Sequence, residues 1–365
     1  MARAASKSSK QSEEGNRSPF LSEGALERPL VGHSVQQKTF RESVSSGCLH
    51  HGWLLHGPKG IGKARFALQA AAYLAAEGAR QEGGGLRIEA DHPDARLIAQ
   101  NAHPDAIWID RLTGLTGGKK LPKTIPVATV RDGLHKLQST AAYGGWRTLV
   151  VDAVDDLNAE GANALLKPLE EPPRKTVLFL IAHRLSAVLP TLRSRCRLMA
   201  FSRLSEDELG KIAFGAQPDA VPEQMHDVAR ALADGRAGVV QDLLAEPELL
   251  EAYGQFCMQA ARGSGSLPDR LAFASFLAAL DDTGRSTMLG LMDDWFSRRV
   301  RGQAEPSPLP TPDQTLDLSG RRSLAELWSE LGKELSIRRA INLDISERIM
   351  ALFAGLDRVY SEGQA

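Results

Sequence analysis

The sequence predicts a parallel α/β domain organised around a phosphate-binding loop and followed by a region that is helical throughout. Three observations carry this reading. Short apolar runs alternate with helical patterns between Gly52 and Phe201, the segment Gly57-Pro58-Lys59-Gly60-Ile61-Gly62-Lys63 joins one such run to one such helix, and strand signals stop after Phe201.

Taken in order, residues 1–26 are rich in Ser, Lys, Glu and Gly with few apolar anchors, a composition that cannot offset the entropy of ordering, and are expected to form a disordered arm. Gly52 to His56, Ala106 to Ile109, Thr148 to Asp152 and Thr176 to Ala182 read as buried strands, with helices at 63–77, 126–140 and 158–170 between them. Strands alternating with helices imply a parallel sheet covered on both faces. Pro168 falls inside the third helix, where it removes a backbone hydrogen bond and should end or kink it early. Ser205 ahead of Glu206, Asp207, Glu208 and Leu209 is a helix start, the serine as N-cap and the acids facing the helix dipole. Gly263 to Ser266 and Pro306 to Pro312 read as connections among the later helices.

At 365 residues the chain exceeds one ordinary domain, so two or three are expected. Its 44 basic and 45 acidic side chains leave a formal charge of −1, and no bulk field draws it onto nucleic acid; a direct DNA-binding role is disfavoured, with a local basic strip left open. Cys48, Cys196 and Cys257 are too dispersed for a zinc site or a disulfide scaffold, which suits a reducing interior. No apolar signal segment opens the chain, and the longest apolar stretches, such as Val177 to Ala182, are too short to span a bilayer, so a cytoplasmic protein without a membrane partner is expected.

In the phosphate loop, Gly57, Gly60 and Gly62 let backbone N–H groups turn toward phosphates, the helix N-terminus adds partial positive charge, and Lys63 would reach the outer phosphates. The competing reading is a tight strand-to-helix connection. Ala64 stands where a Ser or Thr hydroxyl normally binds Mg²⁺. Asp152 closes its strand with a carboxylate suited to the metal's outer shell, but Ala153 occupies the place of the glutamate that orients attacking water. Asp155 and Asp156 are off that register and read as the polar start of the next helix, around Asn158. Without a metal ligand and the water-positioning acid, the site is expected to bind ATP weakly or not at all and not to turn it over.

Three further segments narrow the reading. The string Asn163-Ala164-Leu165-Leu166-Lys167-Pro168-Leu169-Glu170-Glu171-Pro172-Pro173, the run Leu192-Arg193-Ser194-Arg195-Cys196-Arg197, and Ile125-Pro126-Val127 through Gly144-Gly145-Trp146-Arg147, together with Arg28-Pro29-Leu30-Val31-Gly32-His33, resemble the delta-prime type of the clamp-loader AAA+ family over about residues 27–205. The resemblance implies a RecA-like AAA+ domain over 27–202, a helical lid over 203–246 and an all-α oligomerisation collar over 247–365. It implies a component of the DNA polymerase III holoenzyme, not itself a polymerase, that joins motor subunits and a clamp-opening subunit in a hetero-pentamer and helps place a sliding clamp on primed DNA. It also implies that Arg195 acts in trans as an arginine finger on a neighbour's ATP; the bland alternative is a solvated cluster with Arg193 and Arg197, or an internal ion pair.

His183 falls where the family often carries a polar sensor of the γ-phosphate, although a histidine at a strand end is commonly just a hydrogen-bonded residue. Arg236, in Gly235-Arg236-Ala237-Gly238-Val239, is out of step with the family's second sensor. Some relatives carry a four-cysteine zinc module between the first helix and second strand. Arg80 to Pro104 contains no cysteine, so no zinc is expected, and His92-Pro93-Asp94 and His103-Pro104-Asp105 read as turn chemistry. The rival functions are a hydrolysing clamp-loader-type or other AAA+ ATPase, which Ala64 and Ala153 oppose, and a nucleotide-binding switch without hydrolysis.

Overall fold

The computed structural model describes residues 26, 30–76, 85–89, 92–113, 122, 124–138, 144–212, 223–262, 266–306, 309, 316–337 and 345–362. The chain forms two compact units, Met1–Lys211 and Ile212–Ala365. Of the arm expected over 1–26, only Leu26 lies within the described residues, and it is buried against the core of the first unit.

The first unit opens with helix α1 (Ser34–Ser45), followed by β1 (Gly52–His56), α2 (Lys63–Ala75), α3 (Pro93–Ala99), β2 (Ala106–Asp110), α4 (Val127–Gln138) and β3 (Arg147–Asp152). A 3₁₀ turn at Val154–Asp156 leads to α5 (Ala159–Ala164), α6 (Leu166–Glu170) and β4 (Thr176–Ala182). Then come α7 (Pro190–Arg193), β5 (Arg197–Ala200) and α8 (Glu206–Gly210). The strands form one sheet in the order β2-β3-β4-β1-β5, every pair parallel.

Because successive strand residues face opposite sides, β1 and β4 divide their apolar side chains between two cores. Trp53 and Leu55 join Val177, Phe179 and Ile181 on one face, under α1 and α2. Leu54 joins Leu178 and Leu180 on the other, with Leu165 and Leu169 covering them. Phe40 of α1 anchors the first core, its ring 5.4 Å from Trp53, 5.9 Å from Phe66 and 5.6 Å from Phe179, tilted or edge-on in each case.

All four expected strands are present, two of them residue for residue. The helix expected over 158–170 is two helices, broken at Leu165. Pro168 explains the break: it has no N–H to offer the Ala164 carbonyl four residues back, and its ring would collide with that oxygen. The fifth strand, β5, α1 and α3 are additional to the sequence reading. Ser205 caps α8 in a full capping box with Glu208, as its position suggested.

The regular elements of the second unit are all helices among its described residues: α9 (Glu223–Ala233), α10 (Ala237–Ala245), α11 (Pro247–Arg262), α12 (Leu267–Ala279), α13 (Asp282–Arg301), α14 (Leu318–Ile337) and α15 (Ile345–Glu362). Phe256 of α11 packs on Phe273, Trp295 and Phe353, joining α12, α13 and α15 around one aromatic centre. Among the described residues, no helix is long and apolar enough to cross a membrane.

Replacing Phe40 with alanine removes a fully buried ring shared by a helix and two strands, and should destabilise the chain by about 3–5 kcal/mol in a urea titration followed by circular dichroism.

Candidate nucleotide pocket and exposed arginine

The phosphate loop begins where β1 ends. Gly57 N–H donates to Ala182 O at 3.3 Å and Phe201 N–H to His56 O at 2.8 Å, so the loop leaves the sheet between β4 and β5. Gly57 has φ +145°, and a Cβ there would come within 2.2 Å of the Phe201 carbonyl; only glycine fits. Gly60 and Gly62 also have positive φ, at 82° and 106°, and Gly62 is the N-cap of α2. His33, unremarked as a side chain in the sequence, braces the loop from outside. Its Nε2–H donates to Ile61 O at 2.7 Å and its ring stands edge-on to Phe201 at 4.8 Å. Burial, acting first, pushes the His33 pKa down, against the hydrogen bond to Ile61 and the Glu208 charge.

Lys63 turns back on its own loop. Its Nζ donates to Gly57 O and to Pro58 O, both at 2.6 Å, and the residue is only 3% exposed. Burial lowers its pKa to about 8, against the pull of Asp152 and Asp155. Ala64 and Ala153 are both buried, and each presents only a methyl group. Asp152 sits beside Asp110 in the strand register, and burial first, then the Asp110 charge, raises its pKa to about 7. His183 follows β4; burial first, then the positive charge of Lys63 and Lys59, pushes its pKa down to about 3, and its Nδ1 has no hydrogen-bond partner among the described residues.

Asp155 and Asp156 lie in the 3₁₀ turn just ahead of α5 and outside α5 itself. The 3₁₀ turn aims Asp155 across the pocket floor, where its Oδ2 accepts the backbone N–H of His183 at 2.5 Å and of Arg184 at 3.3 Å. Asp156 pairs with Arg111 at 3.0 Å. Asn158 is the cap of α5, accepting from Gly161 N–H at 2.8 Å. The pocket thus gathers Gly57, Gly60, Gly62, Lys63, Ala64, Asp152 and His183 at the carboxyl ends of β1, β3 and β4. The loop has the shape to cradle a phosphate. Its lysine is already engaged by carbonyls, and Ala64, next to it in the chain, carries no hydroxyl.

Arg195 is elsewhere. Its carbonyl lies 3.4 Å from where a Cβ on Gly52 would sit, at the start of β1, whereas the loop begins after the end of that strand. Five residues at about 3.3 Å each put about 16 Å of strand between the two, farther than an arginine side chain extends. The half-exposed guanidinium donates from Nη1 to Thr191 O at 2.9 Å and pairs through Nη2 with Glu170 Oε1 at 2.7 Å. The internal ion pair named as the bland alternative is therefore present. Arg236 lies in the second unit, where its guanidinium bonds the Ala233 carbonyl at 2.9 Å and pairs with Asp294. His92 and His103 each accept a backbone N–H two residues on, from Asp94 at 3.3 Å and Asp105 at 3.1 Å, which is the expected turn chemistry. Among the described residues, no group of three or more His, Cys, Asp or Glu is placed to hold a metal ion.

Residues 32–205 match the family described as "DNA polymerase III, delta subunit". A DNA polymerase III subunit delta′ of Pseudomonas aeruginosa is 30% identical over 256 residues, which is 67% of this chain and 69% of that protein. The subunit delta′ of Yersinia pestis is 34% identical over 168 residues, 46% of each chain, so this chain spans about half the length of that relative. Among solved structures, a DNA polymerase III gamma subunit-related protein from Thermotoga maritima is similar at a TM-score of 0.43 and 14% identity, covering 88% of this chain and 99% of that one.

The pocket's charges predict a pH effect that isolates Asp152. Its folded pKa lies above the unfolded value of 3.8, so the folded state holds the proton more tightly and ionisation works against folding as pH rises from about 4 to about 7. Asp152→Asn should therefore be more stable than the parent by an amount that grows across that window and levels off above it. The gain should reach on the order of 2 kcal/mol once discounted for partial exposure. Urea midpoints of both proteins at pH 5 and pH 8 measure it; a gap that shrinks with rising pH would contradict this assignment.

Proposed function

Because the chain belongs to the delta-prime clamp-loader family of DNA polymerase III subunits, we propose that it serves as a clamp-loader subunit that does not hydrolyse ATP and that lends Arg195 to the ATP site of a neighbouring motor subunit. In this reading it joins motor subunits and a clamp-opening subunit in a hetero-pentamer and helps place the sliding clamp on primed DNA. The helices after residue 202 divide into a lid over 203–246 and a collar over 247–365 through which the subunits associate.

The observation that carries the reading is the separation of the two functional parts. Arg195 starts about 16 Å of strand away from the loop, so its guanidinium cannot complete its own chain's site and is useful only to a triphosphate held by another chain. The pocket itself supports the other half. Phosphoryl transfer depends on positioning and charge stabilisation, and Ala64 and Ala153 supply neither the metal contact nor the water contact. Lys63 must also abandon two carbonyls, at 2.6 Å each, before it can reach a phosphate. Weak or absent ATP binding follows from that competition, and the rival of a hydrolysing ATPase lacks the groups it needs.

Two measurements test this. A phosphate-release assay on the isolated chain should stay below about 1 per second, the low end for competent enzymes of this chemistry. In the assembled complex, Arg195→Ala should lower turnover at the adjacent site by about 10³-fold or more while leaving the unfolding midpoint of this subunit in place. Unchanged turnover in that variant would refute the role in trans.

A further inference from the structure

The string Leu165 to Pro173 contains two adjacent glutamates, and the fold gives them different surroundings. Glu170 closes α6 and pairs with Arg195; no pairing of that kind is made by Glu171 among the described residues. We propose that Glu170 is a positioning residue for Arg195, holding the guanidinium in the orientation in which it meets a neighbour's triphosphate. This rests on the role in trans proposed for Arg195.

The geometry of the pair supports it. Arg195 has five N–H donors in a rigid fork. Nη1 is held by the Thr191 carbonyl at 2.9 Å, with Ser194 Oγ at 3.4 Å, and Nη2 by Glu170 Oε1 at 2.7 Å. The acceptors come from two elements, α6 and α7, so the plane of the guanidinium is fixed by two separate supports. Glu170 is the last residue of α6, and Pro172 and Pro173 follow one residue later to restrict the backbone.

Both side chains are substantially exposed, at 35% for Arg195 and 50% for Glu170. A pair so placed adds little to folding stability, so stability alone does not account for it. Its effect falls on the freedom of a long side chain, which must otherwise be ordered at the moment of phosphoryl transfer. Loss of Glu170 should therefore be felt in turnover, and only while Arg195 is present.

The experiment measures kcat and KM for ATP in the complex assembled with its motor subunits, for the parent, Glu170→Ala, Glu170→Gln, Arg195→Ala and the Glu170→Ala/Arg195→Ala pair. Glu170→Ala should lower kcat about three- to tenfold, the size of one side chain's ordering cost, with KM within about twofold. Glu170→Gln, which keeps an acceptor oxygen, should recover part of the loss. On the Arg195→Ala background Glu170→Ala should have no further effect. Unchanged or faster turnover in Glu170→Ala, or an equal loss on both backgrounds, would overturn the positioning role while leaving Arg195 in place. If Arg195→Ala itself leaves turnover unchanged, the role in trans fails first and this inference falls with it.

Discussion

The parallel pairing of β1 between β4 and β5 is the constraint from which the rest of the first unit follows. It fixes the register Gly52 to Leu178 on one side and Trp53 to Arg197 on the other. All strands therefore point the same way, and every loop that leaves a carboxyl end emerges along one edge. That edge collects the phosphate loop, Asp152 and His183, though they are far apart in sequence. The opposite edge collects Arg195 and the end of α6. A central strand buried on both faces cannot shift register without moving Trp53 and Leu55 off their core, so the spacing between the two edges is as rigid as the core itself.

At the carboxyl edge, charge and burial pull against each other. Lys63 is nearly free of solvent, and its cation is supported by two carbonyl dipoles and by the fields of Asp152 and Asp155. Asp152 experiences Lys63 as a favourable neighbour and Asp110 as an unfavourable one, with desolvation outweighing both. In a pocket built for MgATP the metal would dominate this balance, since a divalent cation is the largest local charge in such a site. Here a methyl group at Ala64 stands beside the lysine, and the loop satisfies its cation internally. Phe201 and His33 pack against the loop and brace the glycines' conformation.

How much of this the sequence disclosed depended on how local each signal was. Gly52–His56 and Thr176–Ala182 were legible to the residue because their apolar runs are buried on both faces and have no solvent side to blur the pattern. β5 was not, because it is an edge strand with only Met199 buried, and Arg197 and Leu198 are exposed. α1 was hidden by its polar composition: Phe40 is its one large buried side chain. The phosphate loop was legible because its chemistry is written in consecutive residues. The contact that Asp155 makes with the N–H of His183, 28 residues away, was not legible, because no spacing rule announces it. Glu170 lies within a legible string, but its partner Arg195, just beyond α7, appears only once α6 and α7 are side by side.

Separating the donor edge from the pocket edge has a consequence for assembly. A module with a guanidinium at one end of its strands and a phosphate loop at the other is asymmetric, and two such modules meeting through like faces would leave both features unused. Only a head-to-tail contact brings one module's donor toward the next module's pocket, and a heterologous contact of that kind propagates until a ring closes or a member fails to continue it. Under the proposed reading this chain supplies the donor face intact and a pocket that cannot reciprocate. The loss of Ala64's hydroxyl counterpart and Ala153's acid then costs the assembly nothing at the interface where Arg195 works. Under that reading the two faces answer to separate requirements: the pocket can do without its own chemistry, whereas the Thr191 and Glu170 contacts of Arg195 belong to the face that serves a neighbour's triphosphate.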